Sequence, residues 1–189
     1  DQLSDTVIFG QKLSTKHYSV SGYQYEIESL TSGGFVIIWE EEELNDRENP
    51  NSFKSIQLKG VIFSANGEII KQIDINSETS SDHTTPRVVA LEDGGFVVGW
   101  VREGTIELQR FNSEGLALKT FEDMPVSVIT EVANAFQFQI SNVDFDTVRV
   151  SYISSNDSNG YGKFLRTVDV KTGYTGTSTT DNIAADKDY

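Results

Sequence analysis

Carboxylate clusters are the part of this sequence with the clearest capacity for chemistry. Residues 40–49 read EEEELNDREN, and Ca²⁺ takes about six to eight oxygen ligands from such flexible acidic loops. Consecutive side chains on an extended chain alternate faces, so at most two of the four glutamates point the same way. We take Glu42 and Asp46 as candidate calcium ligands. The alternative is a solvated acidic loop.

A second polar stretch, SSNDSNGYGK at residues 154–163, offers groups that could bind a ligand. It has a D-x-N-G spacing, as at the start of a calcium loop, but lacks the rest of the full calcium-loop pattern. A tyrosine between two glycines could stack on a sugar ring. The candidate ligand-binding residues are Asn156, Asp157, Asn159 and Tyr161, with Asp157 also a candidate calcium ligand. The alternative is a Gly/Asn-rich hairpin loop.

Catalytic motifs are absent from the sequence. It has no nucleophile elbow, H-E-x-x-H motif, phosphate-binding loop or GxGxxG motif. The chain has no cysteine, which excludes a thiol nucleophile, a Cys-ligated zinc site and disulfides. Asp144 and Asp146 are a close carboxylate pair, but such pairs arise easily among 29 acidic residues. We expect a protein that is not an enzyme.

Histidine and tryptophan also have simple structural interpretations. His17 and His83 have no partner motif nearby, and we expect both at the surface. Trp39 and Trp100 end the most apolar runs in matching places, so we expect them to pack in a core rather than to stack on a ligand.

The strands that would position these groups belong to an internal sequence repeat. The phrase LTSGGFVIIW at residues 30–39 returns as LEDGGFVVGW at residues 91–100. An internal repeat of this length indicates that the fold is built from repeated structural units. We expect repeat units at approximately 23–75, 86–123 and 136–178 within a single domain of residues 1–189. Residues 1–22 would form a partial blade or closing strand.

Each unit divides into four short extended runs separated by tight turns. In residues 86–122 the runs are RVVAL, GFVVGW, TIELQRF and LALKTF, and the turns contain glycine where a positive φ is expected. Apolar residues on both faces of GFVVGW indicate a strand buried on both sides. The segment 127–136 could form a short helix, although its Val and Ile residues favour a strand or linker. The fold class is therefore all-β.

Repeated four-stranded antiparallel sheets are typical of a β-propeller, with about three blades in an incomplete ring. Three units are too few to close a ring. The ring could be completed by a second copy of the chain or by further repeats of a longer chain. The alternative fold is a β-sandwich-like stack of the sheets. We favour the incomplete ring. The residues expected to define the repeat are Gly33, Gly34, Phe35, Trp39, Phe63 and Gly67 in the first unit, and Gly94, Gly95, Phe96, Trp100, Phe111 and Gly115 in the second.

The phrase L-x-x-GGFV-x-x-W, followed by Q-R-F-x-x-x-G, resembles a repeat of large secreted bacterial proteins of the RTX and adhesin type. The second unit carries Leu91, Gly94–Val97, Trp100, Gln109–Phe111 and Gly115. The first unit has Val61 and Ile62 in place of Gln-Arg, and the third has Asp144-Phe145-Asp146 in place of Gly-Gly. The resemblance implies a propeller-like extracellular or cell-surface module, and it implies no catalytic residues.

The net charge of the chain limits the classes of partner that we expect it to bind. The net charge of −14 repels nucleic acid and anionic membrane surfaces and favours cations or basic partners. No apolar run approaches the roughly 20 residues of a membrane span, so we expect no membrane insertion. The short first-to-second and third-to-fourth turns lie on one rim, which leaves the longer connections on the other rim.

These observations predict a non-catalytic binding or adhesion module that recognises a glycan, peptide or protein through its long-loop rim, with Ca²⁺ as a candidate ligand. The first alternative is a structural or assembly unit without a small ligand, either as a homo-oligomer or within a longer chain. The second is a glycan-active enzyme, which is the least favoured of the three.

Overall fold

The structure, a computed structural model, consists of β-strands throughout the part of the chain that it describes. That part is residues 7–8, 11–12, 24–44, 53–76, 81–119, 127–129, 135–156, 160–174, 176 and 179–181, with side chains described for 24–41, 55–76, 81–119, 137–154, 162–174 and 176. Fifteen strands and no helix occur in these ranges. The predicted all-β class is confirmed, and the described residues of segment 127–136, which are 127–129 and 135–136, lie in strands.

The first large sheet, sheet 1, is an up-and-down antiparallel meander of four strands in sequence order. It follows a two-stranded hairpin, in which β1 (Val7–Ile8) pairs with β2 (Gln11–Lys12). The strands of sheet 1 are β3 (Tyr25–Ser29), β4 (Phe35–Leu44), β5 (Phe53–Phe63) and β6 (Ile69–Asp74). The acidic run thus begins inside β4, which corrects the expectation of a loop starting at residue 40.

Sheet 2 has the same order but a divided outer strand. It contains β7 (His83–Ala90), β8 (Phe96–Arg102), β9 (Thr105–Phe111), β10 (Ala117–Leu118) and β11 (Ser127–Ile129). The short strands β10 and β11 each pair with a different half of β9. The predicted fourth run at residues 116–121 is therefore shorter than expected, and β11 extends that side of the sheet.

Sheet 3 repeats the meander with central strands of ten residues each, which are longer than the seven-residue central strands of sheet 2. Its strands are β12 (Ala135–Asn142), β13 (Thr147–Asn156), β14 (Gly160–Asp169) and β15 (Thr179–Asp181). The fourth extended run that the sequence predicts for this unit, YTGTST at residues 174–179, overlaps β15 only at residue 179. The β13–β14 hairpin is continuously paired out to Asn156 and Gly160, so most of the polar stretch 154–163 belongs to these two strands rather than to a loop.

Glycine makes the tight turns of sheets 1 and 2 possible. Gly33 and Gly94 have φ values of +87° and +90°, a region that other residues rarely adopt. The glycine that follows each has no room for a side chain: a Cβ at Gly34 would strike the carbonyl oxygen of Phe63, and one at Gly95 that of Phe111. The first glycine of each pair is thus required for its positive φ, and the second is required for the close approach of the adjoining turn.

The three sheets pack face to face in chain order. One apolar cluster joins sheet 1, through residues such as Ile38 and Leu58, to Phe96, Val98 and Trp100 of sheet 2. A second cluster joins the opposite face of sheet 2 to sheet 3. Its members are Val89, Leu91, Val97, Ile106, Leu108, Phe138, Val148, Val150, Tyr152, Val168 and Val170, with Val101, Ile140 and Phe164 partly buried beside them. The predicted burial of β8 on both faces is confirmed, and the described residues form no closed ring.

Arg87 ties the first strands of all three sheets together. Its guanidinium donates to Glu26 Oε1 on β3 at 2.7 Å and to the Phe138 carbonyl on β12 at 3.1 Å. The same group lies 5.9 Å from the centre of the Phe138 ring, within range of a cation–π interaction. The first strands of the sheets therefore lie side by side.

Candidate functional site

The meander gives each sheet two different ends. We call turn rim the end where first strands join second strands and third strands join fourth strands. It contains residues 30–34, 64–68, 91–95, 112–116, 143–146 and 170–174. We call loop rim the opposite end, where the second and third strands are joined. Loops over a rigid scaffold are the usual place for binding residues, so both rims are candidates.

The sequence predicts its ligand-binding and calcium-binding residues on the loop rim. Asp46, Asp157 and Asn159 lie outside the described residues. Glu42, Asn156 and Tyr161 are placed by their backbones in β4, β13 and β14, and their side chains lie outside the description. The described residues contain no group of three or more His, Asp or Glu side chains placed to hold a metal ion.

The described glutamates of the acidic run serve the fold. The carboxylate of Glu40 is buried and accepts hydrogen bonds from the Gln24 amide at 3.1 Å and from the Thr85 amide at 2.7 Å. Glu41 is buried as well. Glu40 thus connects β4 to the first strand of sheet 2.

A buried polar cluster lies between sheets 1 and 2 at their loop-rim ends. The Trp100 indole donates to Glu107 Oε2 at 2.8 Å, and Arg102 Nε donates to Glu107 Oε1 at 2.7 Å. Glu107 is 4% exposed, and its hydrogen bonds with Trp100 and Arg102 compensate for the burial of its charge. Its carboxylate therefore acts as a structural anchor for the end of β8.

His83 is buried in the same cluster, so the prediction of a surface position is wrong. The residue is 1% exposed, its ring centre lies 6.2 Å from that of Trp100, and its Nδ1 lies 3.4 Å from Asn76 Nδ2. Asn76 in turn donates to Gln57 Oε1 and accepts from the Leu58 amide at 2.8 Å. Strand β7 begins at His83, which places the ring against sheet 1.

On the turn rim, Arg110 joins sheet 2 to sheet 3. One guanidinium nitrogen donates to Asp93 Oδ2 at 2.7 Å, and another donates to Asp146 Oδ1. Asp93 Oδ1 also accepts from the Gly95 amide at 2.9 Å. Burial opposes the charged form of Asp93, but the hydrogen bonds from Arg110 and Gly95 lower its pKa below the ordinary value. Burial likewise opposes the charge of Arg110, and the two carboxylates raise its pKa.

The carboxylates of Asp144 and Asp146 are both engaged in holding this turn. Asp144 Oδ1 accepts from the Asp146 amide at 3.1 Å, and the Thr147 hydroxyl and this amide lower the pKa of Asp144. Asp146 pairs with Arg110, and its carbonyl accepts from the Val170 amide at 2.7 Å. This pair therefore has the contacts of a turn brace.

Two neighbouring turns of sheet 3 present large apolar side chains to solvent. Phe145 is 57% exposed, Tyr174 is 70% exposed and Val143 is 43% exposed. The turns are fixed to one another and to sheet 3 by the Val170–Asp146 hydrogen bond and by the Asp169 amide, which donates to the Tyr174 carbonyl at 2.9 Å. We call Val143, Phe145 and Tyr174 the aromatic patch.

Sequence reasoning placed the candidate site on the other rim and did not single out this patch. A signal was available, because a phenylalanine between two aspartates in a tight turn has no strand-face partner to pack against. The partners of Arg110 were not predictable in the same way, since Asp93 and Asp146 are 17 and 36 residues away along the chain.

No family model matches this chain, and no curated protein matches it. Among the described residues, none forms a helix with the length and apolar character needed to cross a membrane.

Proposed function

We propose that this protein is a non-catalytic binding module that recognises a glycan with the aromatic patch on the turn rim of sheet 3. The observation that carries the proposal is the exposure of Phe145 and Tyr174 on two turns that are hydrogen-bonded into one structure. Exposed apolar side chains that are grouped on one part of a domain surface often mark an interaction site.

Rigidity supports a recognition role for the patch. The turn that carries Phe145 is braced by Asp144 and by the ion pair of Asp146 with Arg110. The turn that carries Tyr174 is braced by Asp169, whose Oδ1 accepts from the Lys171 and Thr172 amides at 2.9 and 3.0 Å. A ligand that binds to turns whose backbones are already held in place does not have to offset the ordering entropy of those backbones.

The chemistry around the rings suits a neutral, hydroxyl-rich ligand. A flat ring can stack on the apolar face of a sugar, while carboxylates and carbonyls beside it accept hydrogen bonds from sugar hydroxyls. The net charge of −14 disfavours phosphate-rich or anionic ligands. A basic protein surface is the second ligand class compatible with this charge.

The resemblance to repeats of secreted bacterial proteins supports an extracellular or cell-surface location and a propeller-like relation between the sheets. Both belong to the proposal. Calcium binding is part of the proposal only at the loop rim, for which Glu42, Asp46 and Asp157 stay candidate ligands. We therefore expect glycan binding at the turn rim to persist without Ca²⁺.

A glycan array, repeated with Ca²⁺ and with a chelator, tests the proposal. The wild-type chain should bind a defined set of glycans in both conditions. A Phe145→Ala, Tyr174→Ala variant should lose at least about tenfold in affinity, because each ring supplies stacking area worth roughly a kilocalorie per mole.

The matched control is Ile70→Ala, which removes an equally exposed apolar side chain (59%) from β6 of sheet 1 and should bind as the wild type does. Silence of the wild type on the array, or full binding by the double variant, would contradict the proposal. Silence would leave a structural or assembly unit as the better hypothesis.

A further inference from the structure

Strand β3 forms one edge of sheet 1, with β4 on its other side. The carbonyl of Gln24, just before β3, accepts a hydrogen bond from β4 at 3.1 Å, and the amide of Leu30, just after β3, donates to the turn that leads into β4 at 2.8 Å. Backbone groups alternate sides along an antiparallel strand. The N–H and C=O groups of Tyr25, Ile27 and Ser29 therefore point away from β4.

The matching edges of the next two sheets are capped by side chains of the sheet that comes before them. In β7 the Ala90 amide donates to Glu28 of sheet 1 at 3.1 Å, and in β12 the Phe138 carbonyl accepts from Arg87 of sheet 2 at 3.1 Å. Among the residues that the structure describes, none bonds to the outward backbone groups of β3. Such an edge is a template for a further strand.

Exposed apolar side chains follow the same edge. Tyr25 and Ile27, on the side of β3 away from sheet 2, are 67% and 55% exposed. Ile37 of β4 and Val61 of β5 lie on the same side of sheet 1 and are only 5% and 0% exposed. Of these residues, those of β3 alone are accessible, which suits one extended segment rather than a whole sheet.

The opposite side of β3 is acidic. Glu26 and Glu28 alternate with Tyr25 and Ile27 along the strand. Glu26 pairs with Arg87 at 2.7 Å, whereas Glu28 has no cationic partner in the part of the chain that the structure describes. Side chains directly opposite one another in adjoining strands lie about 5 Å apart, so opposite charges there stabilise the pair. Basic residues across from the two glutamates therefore complement this edge.

A second copy of the chain fits this edge poorly. If β3 paired with β3 of another copy, the outward groups of one copy would bond to those of the other. This pairing would place Glu26 and Glu28 across from the glutamates of the second copy, and like charges directly opposite one another are destabilising. The net charge of −14 on each copy adds to the repulsion.

We propose that the open edge of β3 binds an extended peptide segment of a partner protein as an added antiparallel strand, in which apolar residues alternate with lysine or arginine. The apolar residues lie across from Tyr25 and Ile27 and exchange backbone hydrogen bonds with them. The basic residues lie across from Glu26 and Glu28. Main-chain bonds supply affinity in this mode of recognition, and the alternate side chains supply specificity. The site goes beyond the glycan site, which is on sheet 3.

Hydrogen exchange of backbone amides in the ¹⁵N-labelled full-length chain tests the proposal. The probe is an acetylated, amidated heptapeptide of alternating lysine and valine with N-methyl groups on its lysines. These groups leave the valine amides free to bond to β3 and stop the peptides from pairing with one another. A saturating concentration of probe should slow the exchange of the Tyr25 and Ile27 amides at least about tenfold. The Glu26 and Glu28 amides are the internal reference, because they already face β4.

The matched control probe carries its N-methyl groups on the valines instead of the lysines. It has the same charge and composition, but it cannot donate to the outward carbonyls of β3, so it should leave the exchange of the Tyr25 and Ile27 amides unchanged. Equal protection by both probes would overturn the proposal, since side chains rather than backbone bonds would then hold the peptide. Absence of protection by the first probe would overturn it as well.

Two lysine variants test the position of the peptide. Ile27→Lys places a positive charge in the apolar row of the edge and should weaken binding of the first probe at least about tenfold. Ile70→Lys changes a similarly exposed residue (59%) on β6 of the same sheet and should bind as the wild type does. Near-wild-type circular dichroism verifies the folding of both variants. Equal binding by the two variants would contradict the proposed position.

Two further measurements separate this site from the alternatives. The Phe145→Ala, Tyr174→Ala variant should bind the first probe as the wild type does, and loss of this binding would place the peptide on the aromatic patch and overturn the proposal. Protection of the Tyr25 and Ile27 amides that rises with protein concentration, in the absence of any probe, would identify a second copy as the occupant and would also overturn it.

Discussion

At the scale of single residues, Arg110 makes the contacts that connect two repeats. It reaches Asp93 in the turn of its own sheet and Asp146 in the turn of the next sheet, and its side chain is only 11% exposed. In sheet 1 the corresponding residue is Ile62, which packs in the apolar cluster between sheets 1 and 2. The two sheet junctions therefore use different chemistry at the same position: apolar packing in one and an ion-pair network in the other.

The network makes part of the stability depend on pH. The folded pKa of Asp93 lies below its ordinary value of 3.8, so its stabilising contribution is complete above that value and is lost as the pH falls below it. We expect Arg110→Met to lower the free energy of unfolding at pH 7 by about 1 to 2 kcal/mol, because solvent screens the partly exposed carboxylates. Urea unfolding should show a smaller difference between the variant and the wild type at pH 3.

The control for this prediction is Lys59→Met. Lys59 pairs with Asp74 at 2.6 Å, but Asp74 is 76% exposed, so the variant should lose at most about 1 kcal/mol at pH 7. A difference between Arg110→Met and the wild type that stays constant from pH 7 to pH 3 would show that lost packing, rather than charge, dominates at Arg110.

At the scale of elements, the faces of the strands determine how the sheets stack. Strand β8 is apolar on both faces because it lies between two sheets, whereas β13 is apolar on one face and mainly polar on the other. Gly99 in β8 allows sheet 3 to approach closely, since a Cβ at this position would meet Ile140 Cδ1 at 2.5 Å and Leu108 Cδ2 at 2.8 Å.

A methyl group at position 99 should therefore separate sheets 2 and 3. We expect Gly99→Ala to lower the free energy of unfolding by about 1 to 3 kcal/mol, the usual cost of overpacking a filled core. Thermal and urea unfolding measure the loss. Ser141→Ala, on the exposed side of sheet 3, should change the stability by less than about 0.5 kcal/mol. Equal stability of Gly99→Ala and the wild type would mean that the interface can yield without cost.

At the scale of the whole molecule, charge acts against the compact state. The chain carries 29 acidic and 15 basic residues, so folding brings many carboxylates closer together. The few ion pairs at the turn rim stabilise local junctions, but they do not remove this general repulsion. The same charge keeps molecules apart in solution and favours neutral or basic ligands.

Salt should consequently stabilise the protein. Raising the ionic strength from about 0.02 to 0.2 M shortens the screening length to less than about 10 Å, and we expect the midpoint of thermal unfolding to rise by a few degrees. Tetramethylammonium chloride is the control, because it screens charge without binding as a small cation does. A rise with NaCl that tetramethylammonium does not reproduce would point to specific cation binding.

The sequence alone determined the class of fold and the position of most strands. Alternation of apolar residues and paired glycines are local signals, because the pleat has a period of two and a positive φ favours glycine at one position at a time. The outer strands β10, β11 and β15 were placed less well, since a short edge strand depends on its partner rather than on its own pattern. The burial of Glu40 and His83 likewise depends on partners in another strand.

Only the tertiary structure decided which residues of different repeats meet. Arg110 and Asp146, or Arg87 and Glu26, are far apart in sequence, and no local pattern specifies their contact. The same holds for the aromatic patch on the turn rim of sheet 3, because Val143, Phe145 and Tyr174 are residue types that would also fit a core. Whether such residues are covered depends on which sheet lies beside them, and this is a property of packing rather than of sequence spacing.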